Sequence, residues 1–166
     1  LPSFAAGVRN ALRRKPGLIL VGEARDQETI EAVIDAALTG HPVYTTVHSN
    51  GVADTLRRMI TIFPHAERDA RLFDLLETTK VIVWQALVSC TDGKRTPLRE
   101  YLLITPEVRD ALIATPVDQV VSQAREMLIK HGRPIEVDAQ EKFDAGLIDE
   151  RVLRRFIPKQ GGTDGR

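Results

Sequence analysis

The chain has 166 residues, enough to bury a real core, and its positive and negative side chains balance at 23 each. That neutrality removes the bulk attraction on which a general nucleic-acid or anionic-membrane binder relies, and no apolar run approaches the roughly twenty residues that span a bilayer. A single cysteine, Cys90, excludes an internal disulfide framework and suits a reducing compartment; in its apolar stretch it reads as a small buried hydrophobe.

Behind Pro16-Gly17, Leu18 to Val21 form a short, wholly apolar run ahead of a glycine, which reads as a strand buried on both faces and ends in a carboxylate, Glu23. Asp26 is placed to cap the helix that follows, in which Ile30, Val33, Ile34, Ala37 and Leu38 repeat at the spacing of one buried face, and Gly40 stops it. Val43 to Val47 supply a second strand, with Thr45, Thr46 and His48 at its end. Strand, helix, strand implies a right-handed crossover and parallel strands. Open parallel sheets take ligands at the carboxyl ends of their strands, so Glu23 and His48 are expected to face one site. Strand tips in any α/β protein carry polar residues, so from pattern alone a hydrogen-bonded structural histidine stands beside the functional reading.

Further on, Val52, Leu56, Met59 and Ile60 mark one helix, and Leu72, Leu75, Leu76 and Thr79 another. Val81 to Cys90 and Leu98 to Ile104 are rich in strand formers and joined through Asp92-Gly93, which predicts an antiparallel pair extending the parallel sheet, with Trp84 packing in the core or an interface. After Thr105-Pro106 the period turns helical. The chain therefore divides into a sheet-bearing part over residues 1–104, a helical subdomain over 105–157 broken by a loop at Gly132 to Pro134, and a tail over 158–166 that reads as disordered.

No Gly-x-x-x-x-Gly-Lys-Ser/Thr phosphate loop occurs in these residues. Gly93-Lys94 lacks the strand-to-helix context and the second glycine, so it is read as a turn. His41, His65 and His131 have no ligand spacing with Cys90 or nearby acids, which argues against a zinc site built by the protein. Arg13-Arg14-Lys15 and Arg57-Arg58 read first as solvated helix ends, with contact to a neighbour or a nucleotide as the alternative.

Val21-Gly22-Glu23-Ala24-Arg25-Asp26, followed by Thr39-Gly40-His41 through Val43, Thr46 and His48, resembles the Walker B and histidine boxes of the secretion ATPase superfamily: the hexameric motors of type II and type IV secretion, conjugative plasmid transfer and pilus extension or retraction. The resemblance runs from Phe4 to about Phe156 and includes the Phe4 to Arg13 helix and Gln85-Ala86-Leu87. It implies the C-terminal part of a RecA-like P-loop ATPase sheet followed by a small helical subdomain, with ATP and Mg2+ as cofactors. By the same resemblance Glu23 is the catalytic carboxylate, holding Mg2+ through water or orienting the attacking water, and His48 senses the γ-phosphate. Thr46 and Arg25 are carried over as nucleotide contacts, although an Arg25-Asp26 pair at a helix start also serves as a cap and a surface charge. A phosphate loop would then lie upstream of Leu1, and these residues alone are expected not to hydrolyse ATP. Thr105-Pro106-Glu107-Val108-Arg109-Asp110 matches a segment of pilus-retraction motors only in part, so a conjugation or effector-secretion relative fits equally well.

The implied partners are further copies of the chain, in a hexamer, and inner-membrane secretion or pilus components, with a cytoplasmic location against that membrane. Direct DNA binding is not expected. The alternatives are a non-catalytic docking module, supported by the missing phosphate loop, and a recombinase- or helicase-like motor, disfavoured by the neutral charge and the absence of an aromatic-basic strand.

Overall fold

A computed structural model describes residues 3–157; the tail over 158–166 lies outside them. The first helix, α1 (Phe4–Leu12), starts where the Ser3 side chain accepts the Ala6 amide. Strand β1 (Ile19–Val21) leads into α2 (Gln27–Leu38), which Asp26 caps by accepting the Thr29 amide at 2.9 Å. Gly40, at φ 87°, takes the left-handed conformation that reverses the chain into β2 (Val43–Thr45). β1 and β2 are parallel, with Ile19 opposite Val43, Leu20 opposite Tyr44 and Val21 opposite Thr45.

Helices α3 (Val52–Thr61) and α4 (Arg68–Thr78) follow, and then the long strands β3 (Val81–Ser89) and β4 (Arg95–Leu103) pair antiparallel along all nine residues. Gly93, at φ 81°, closes their turn as the Asp-Gly pair predicts. The remaining helices are α5 (Pro106–Ile113), α6 (Val120–His131), α7 (Ile135–Asp144) and the short α8 (Glu150–Leu153).

One apolar cluster joins α2, α3 and α4 to β3, β4, α5 and α6, with Leu56, Leu76, Leu102 and Leu112 fully enclosed. Burying each such side chain contributes about 1.5–3 kcal/mol. A second cluster seats α7 and α8 on Val88 and Leu98; a third, smaller one holds α1 and α2 against β1.

The sequence reading needs four corrections. β1 is buried on one face only: Leu20 is 73 % exposed and its register partner Tyr44 63 % exposed. An apolar run shows what a strand prefers to bury, not what is present to bury it. Leu38 is half exposed and Ala36 takes its place inside, because α2 turns its buried face toward Thr29, Ala32 and Ala36 as well as Ile30 and Ile34. Among the described residues β3 and β4 do not extend the parallel pair; they form a separate two-stranded sheet, and between β2 and β3 lies an open groove of about 850 Å³. Finally, Cys90 is only partly buried, since it lies past the end of β3, where its amide bonds to Lys94 O at the turn.

Candidate functional site at the strand tips

β1 and β2 end side by side, so the residues that follow them emerge together. The Nε2 atom of His48 stands 3.6 Å from Oε1 of Glu23, a contact that becomes an ion pair when the imidazole is protonated. The two side chains differ in setting: that of Glu23 is 29 % exposed and that of His48 83 %.

Thr46 brackets Glu23. Its hydroxyl donates to Gly22 O at 2.5 Å and its carbonyl accepts the Ala24 amide at 2.9 Å, fixing the main chain on both sides of the carboxylate. With its proton committed to Gly22, the hydroxyl has acceptor capacity left to offer a ligand. Arg25 is exposed in the turn into α2, and Asp26 is occupied as that helix's cap, accepting both the amide and the hydroxyl of Thr29. Beside this tip Thr45 Oγ1 is buried with no hydrogen-bond partner. The groove between β2 and β3 runs past the same place, lined by residues 42–49 on one wall and 80–85 on the other.

Among the described residues the His48 side chain makes no hydrogen bond that would hold it; the chain behind it is held instead. Ser49 O accepts the indole N–H of Trp84 at 2.8 Å, and Ser49 Oγ lies 2.7 Å from Thr55 Oγ1. The Asn50 amide donates to Asp54 at 3.0 Å, and the Val52 amide donates to Glu100 Oε1 at 2.7 Å. Gly51, at φ 145°, is required twice over: its backbone is one that side chains rarely adopt, and a Cβ there would stand 3.2 Å from the same Glu100 oxygen.

Sequence reasoning did not find Trp84, Glu100 or Gly51 as parts of this neighbourhood. Glu100 carried a usable signal. In the period-2 pattern of β4 it falls on the face of Leu98 and Leu102, both fully buried, so a carboxylate there demanded an explanation. Burial pushes its pKa above the usual carboxylate range, opposed by hydrogen bonds from the backbone amides of Val52 and Ile135 and reinforced by the nearby charge of Glu136.

A carboxylate and an imidazole thus meet at adjacent tips of parallel strands, next to an open groove, at the end of the sheet where open α/β folds take ligands. The chain belongs to the type II/IV secretion system protein family, whose model matches residues 2–141. It is 52 % identical to the ATPase DotB of Legionella pneumophila, whose X-ray structure superposes with a TM-score of 0.90 over 93 % of this chain and 42 % of that one. It is 36 % identical over 152 residues to the type IV pilus retraction ATPase PilT of Pseudomonas aeruginosa, covering 92 % of this chain and 43 % of the relative. The crystal structure of a pilus retraction motor PilT with bound ADP matches at 30 % identity and a TM-score of 0.83, over 96 % of this chain and 45 % of that one. The fold is therefore RecA-like, and the chain spans about two fifths of the length of these relatives. Among the described residues no helix is long and apolar enough to cross a membrane.

Proposed function

We propose that this chain is the Walker B and histidine-box portion of a hexameric ATPase that converts ATP and water into ADP and phosphate to drive a type IV secretion, conjugative transfer or pilus machine. The observation that carries the reading is the convergence of Glu23 and His48, 3.6 Å apart, at the tips of a parallel strand pair. The similarity to DotB and PilT supplies the reaction class.

The donor set fits a magnesium ion delivered with its nucleotide. At the tip Asp26 is occupied as the helix cap, which leaves the Glu23 carboxylate to hold such an ion, with phosphate oxygens and water as the further oxygen donors it would require. When bound, the ion neutralises charge on the phosphates. The work of the chain is then positional. Glu23 would hold the ion's water or align the attacking one, Thr46 fixes the main chain around Glu23, and His48, on the exposed side, would donate a hydrogen bond to the γ-phosphate region. Arg25, exposed at the same tip, is assigned a phosphate contact.

The open groove between β2 and β3 supports a sheet completed by more polypeptide than residues 3–157, and that is where a phosphate-binding segment belongs. The exposed, largely unpartnered His48 suits a site finished by a neighbouring subunit, with loss of phosphate rotating subunits against one another. The helices after Thr105 form the C-terminal unit of that subunit. We place the machine in the cytoplasm, against the inner membrane through its protein partners.

The test is steady-state ATP hydrolysis by the intact protein beside the 166-residue chain. Magnesium-dependent turnover confined to the intact protein supports the reading. An intact protein that neither binds nor hydrolyses ATP would make this fold a docking module instead.

A further inference from the structure

Three features hold the segment behind His48, and two of them come from one position of the antiparallel hairpin. Trp84 and Glu100 are register partners on β3 and β4. Trp84 takes Ser49 O and Glu100 takes the Val52 amide, so the hairpin grips both ends of the turn that begins one residue after His48. The third is the α3 side of the turn, where Thr55 donates to Gly51 O at 2.9 Å and so accepts from the Ser49 hydroxyl at 2.7 Å, and Asp54 accepts the Asn50 amide at 3.0 Å. Glu100 is 8 % exposed, and its neighbour on β4, Tyr101, bridges Arg133 just ahead of α7. The buried carboxylate thus sits at the N-terminus of α3, where the helix dipole favours negative charge.

A buried carboxylate is a costly way to cap a helix, since a serine or aspartate at the cap position itself does the same work from the surface. What Glu100 adds is reach across 48 residues of sequence, between the chain behind the candidate sensor and β4. Among the described residues the polar partner of the His48 side chain is Glu23 at 3.6 Å, so its location is set largely by main chain: β2 before it and this turn after it.

We propose that Glu100, assisted by Trp84, is a positioning residue for His48, holding the Ser49–Val52 turn in place and tying it to the β3–β4 hairpin. This rests on the ATPase reading for its kinetic consequence but not for its structural one. When the turn is released, the imidazole no longer returns to one location above Glu23, and the step that senses or uses the γ-phosphate slows while nucleotide affinity is retained.

The experiment compares wild type, Glu100→Ala, Glu100→Gln and Trp84→Phe in the intact protein by amide hydrogen exchange and by ATPase kinetics. Glu100→Ala is expected to speed exchange across residues 49–53 by about tenfold or more, as one lost buried hydrogen bond allows, with the sheet core unchanged. Its kcat should fall about tenfold with KM for ATP within about twofold. Glu100→Gln keeps a side-chain oxygen for Val52 and should recover most of both. Trp84→Phe keeps the ring and should loosen residues 49–51 alone.

Unchanged exchange over 49–53 in folded Glu100→Ala overturns the proposal. So does equal, molecule-wide loosening in Glu100→Ala and Glu100→Gln, which would make Glu100 a general stability element. Should Glu100→Ala not fold, Glu100→Gln and Trp84→Phe decide by the same local criterion. If the wild-type protein does not hydrolyse ATP, the ATPase reading fails and the exchange pattern still decides whether the clamp exists.

Discussion

The two ends of this molecule are built to different standards. At the parallel end, strands of three residues leave Leu20 and Tyr44 in solvent, and the candidate site holds a largely exposed histidine beside an open groove. At the antiparallel end, nine-residue strands pair completely and two apolar clusters pack helices against them. There Asp138 accepts from the Arg99 amide at 2.8 Å, from Lys142 at 2.6 Å and from Arg133 at 3.1 Å. The two ends differ in pairing more than in cover: the hairpin is paired along its whole length and packed on one face, with Val83, Leu87 and Leu103 exposed on the other, whereas the parallel pair is short and its candidate site lies open.

The sharpest contrast should come from core truncation. Leu102→Ala, at a fully enclosed position, is expected to cost about 2–5 kcal/mol in denaturant unfolding. Leu20→Ser in the 166-residue chain should change stability by no more than about 0.5 kcal/mol. A large loss at Leu20 in that chain would break the comparison, because it would mean the exposed face is already covered. Next in size is Asp138→Ala, which takes the carboxylate from Lys142, one of two from Arg133 and the acceptor from the Arg99 amide, and should cost about 3 kcal/mol, read by the same unfolding curves.

The two buried carboxylates should also bend stability against pH in opposite directions. Burial alone would raise Asp138, but hydrogen bonds from Lys142, the Arg99 amide and Arg133 outweigh it and hold its pKa below the ordinary value of 3.8. Its contribution is present above that value and is lost as pH falls through the folded pKa. Glu100 runs the other way: burial lifts its pKa above the ordinary 4.5, so stability declines as pH rises from 4.5 through the raised value. Thermal unfolding across this range should show Glu100→Gln flattening the decline and Asp138→Asn removing the acid-side loss. Parallel pH profiles for the two variants would contradict both assignments. The smallest effect belongs to Arg109, whose ion pairs with Glu77 and Asp110 are partly exposed; Arg109→Ala should cost less than about 1 kcal/mol.

Much of the parallel end was legible in the sequence because its determinants are local. The Asp26 cap, the Gly40 stop and the β-branched run after it set β1, α2 and β2, and their order brought Glu23 and His48 together. The Asp-Gly turn between β3 and β4 was legible for the same reason. What was missed is non-local. The exposure of Leu20 depends on what faces it, and the separation of the two sheets depends on what lies between them. The hold on the turn behind His48 spans 35 residues to Trp84 and 48 to Glu100, distances at which no spacing rule operates.

The central claim is that Glu23 belongs to the hydrolytic machinery. Its most direct test is the steady-state ATPase rate of Glu23→Gln in the intact protein, with folding and nucleotide binding checked alongside. The account predicts a fall of about 100-fold or more with binding retained, because the amide can neither hold the ion's water as an anion nor accept its proton. Turnover within about twofold of wild type would contradict it.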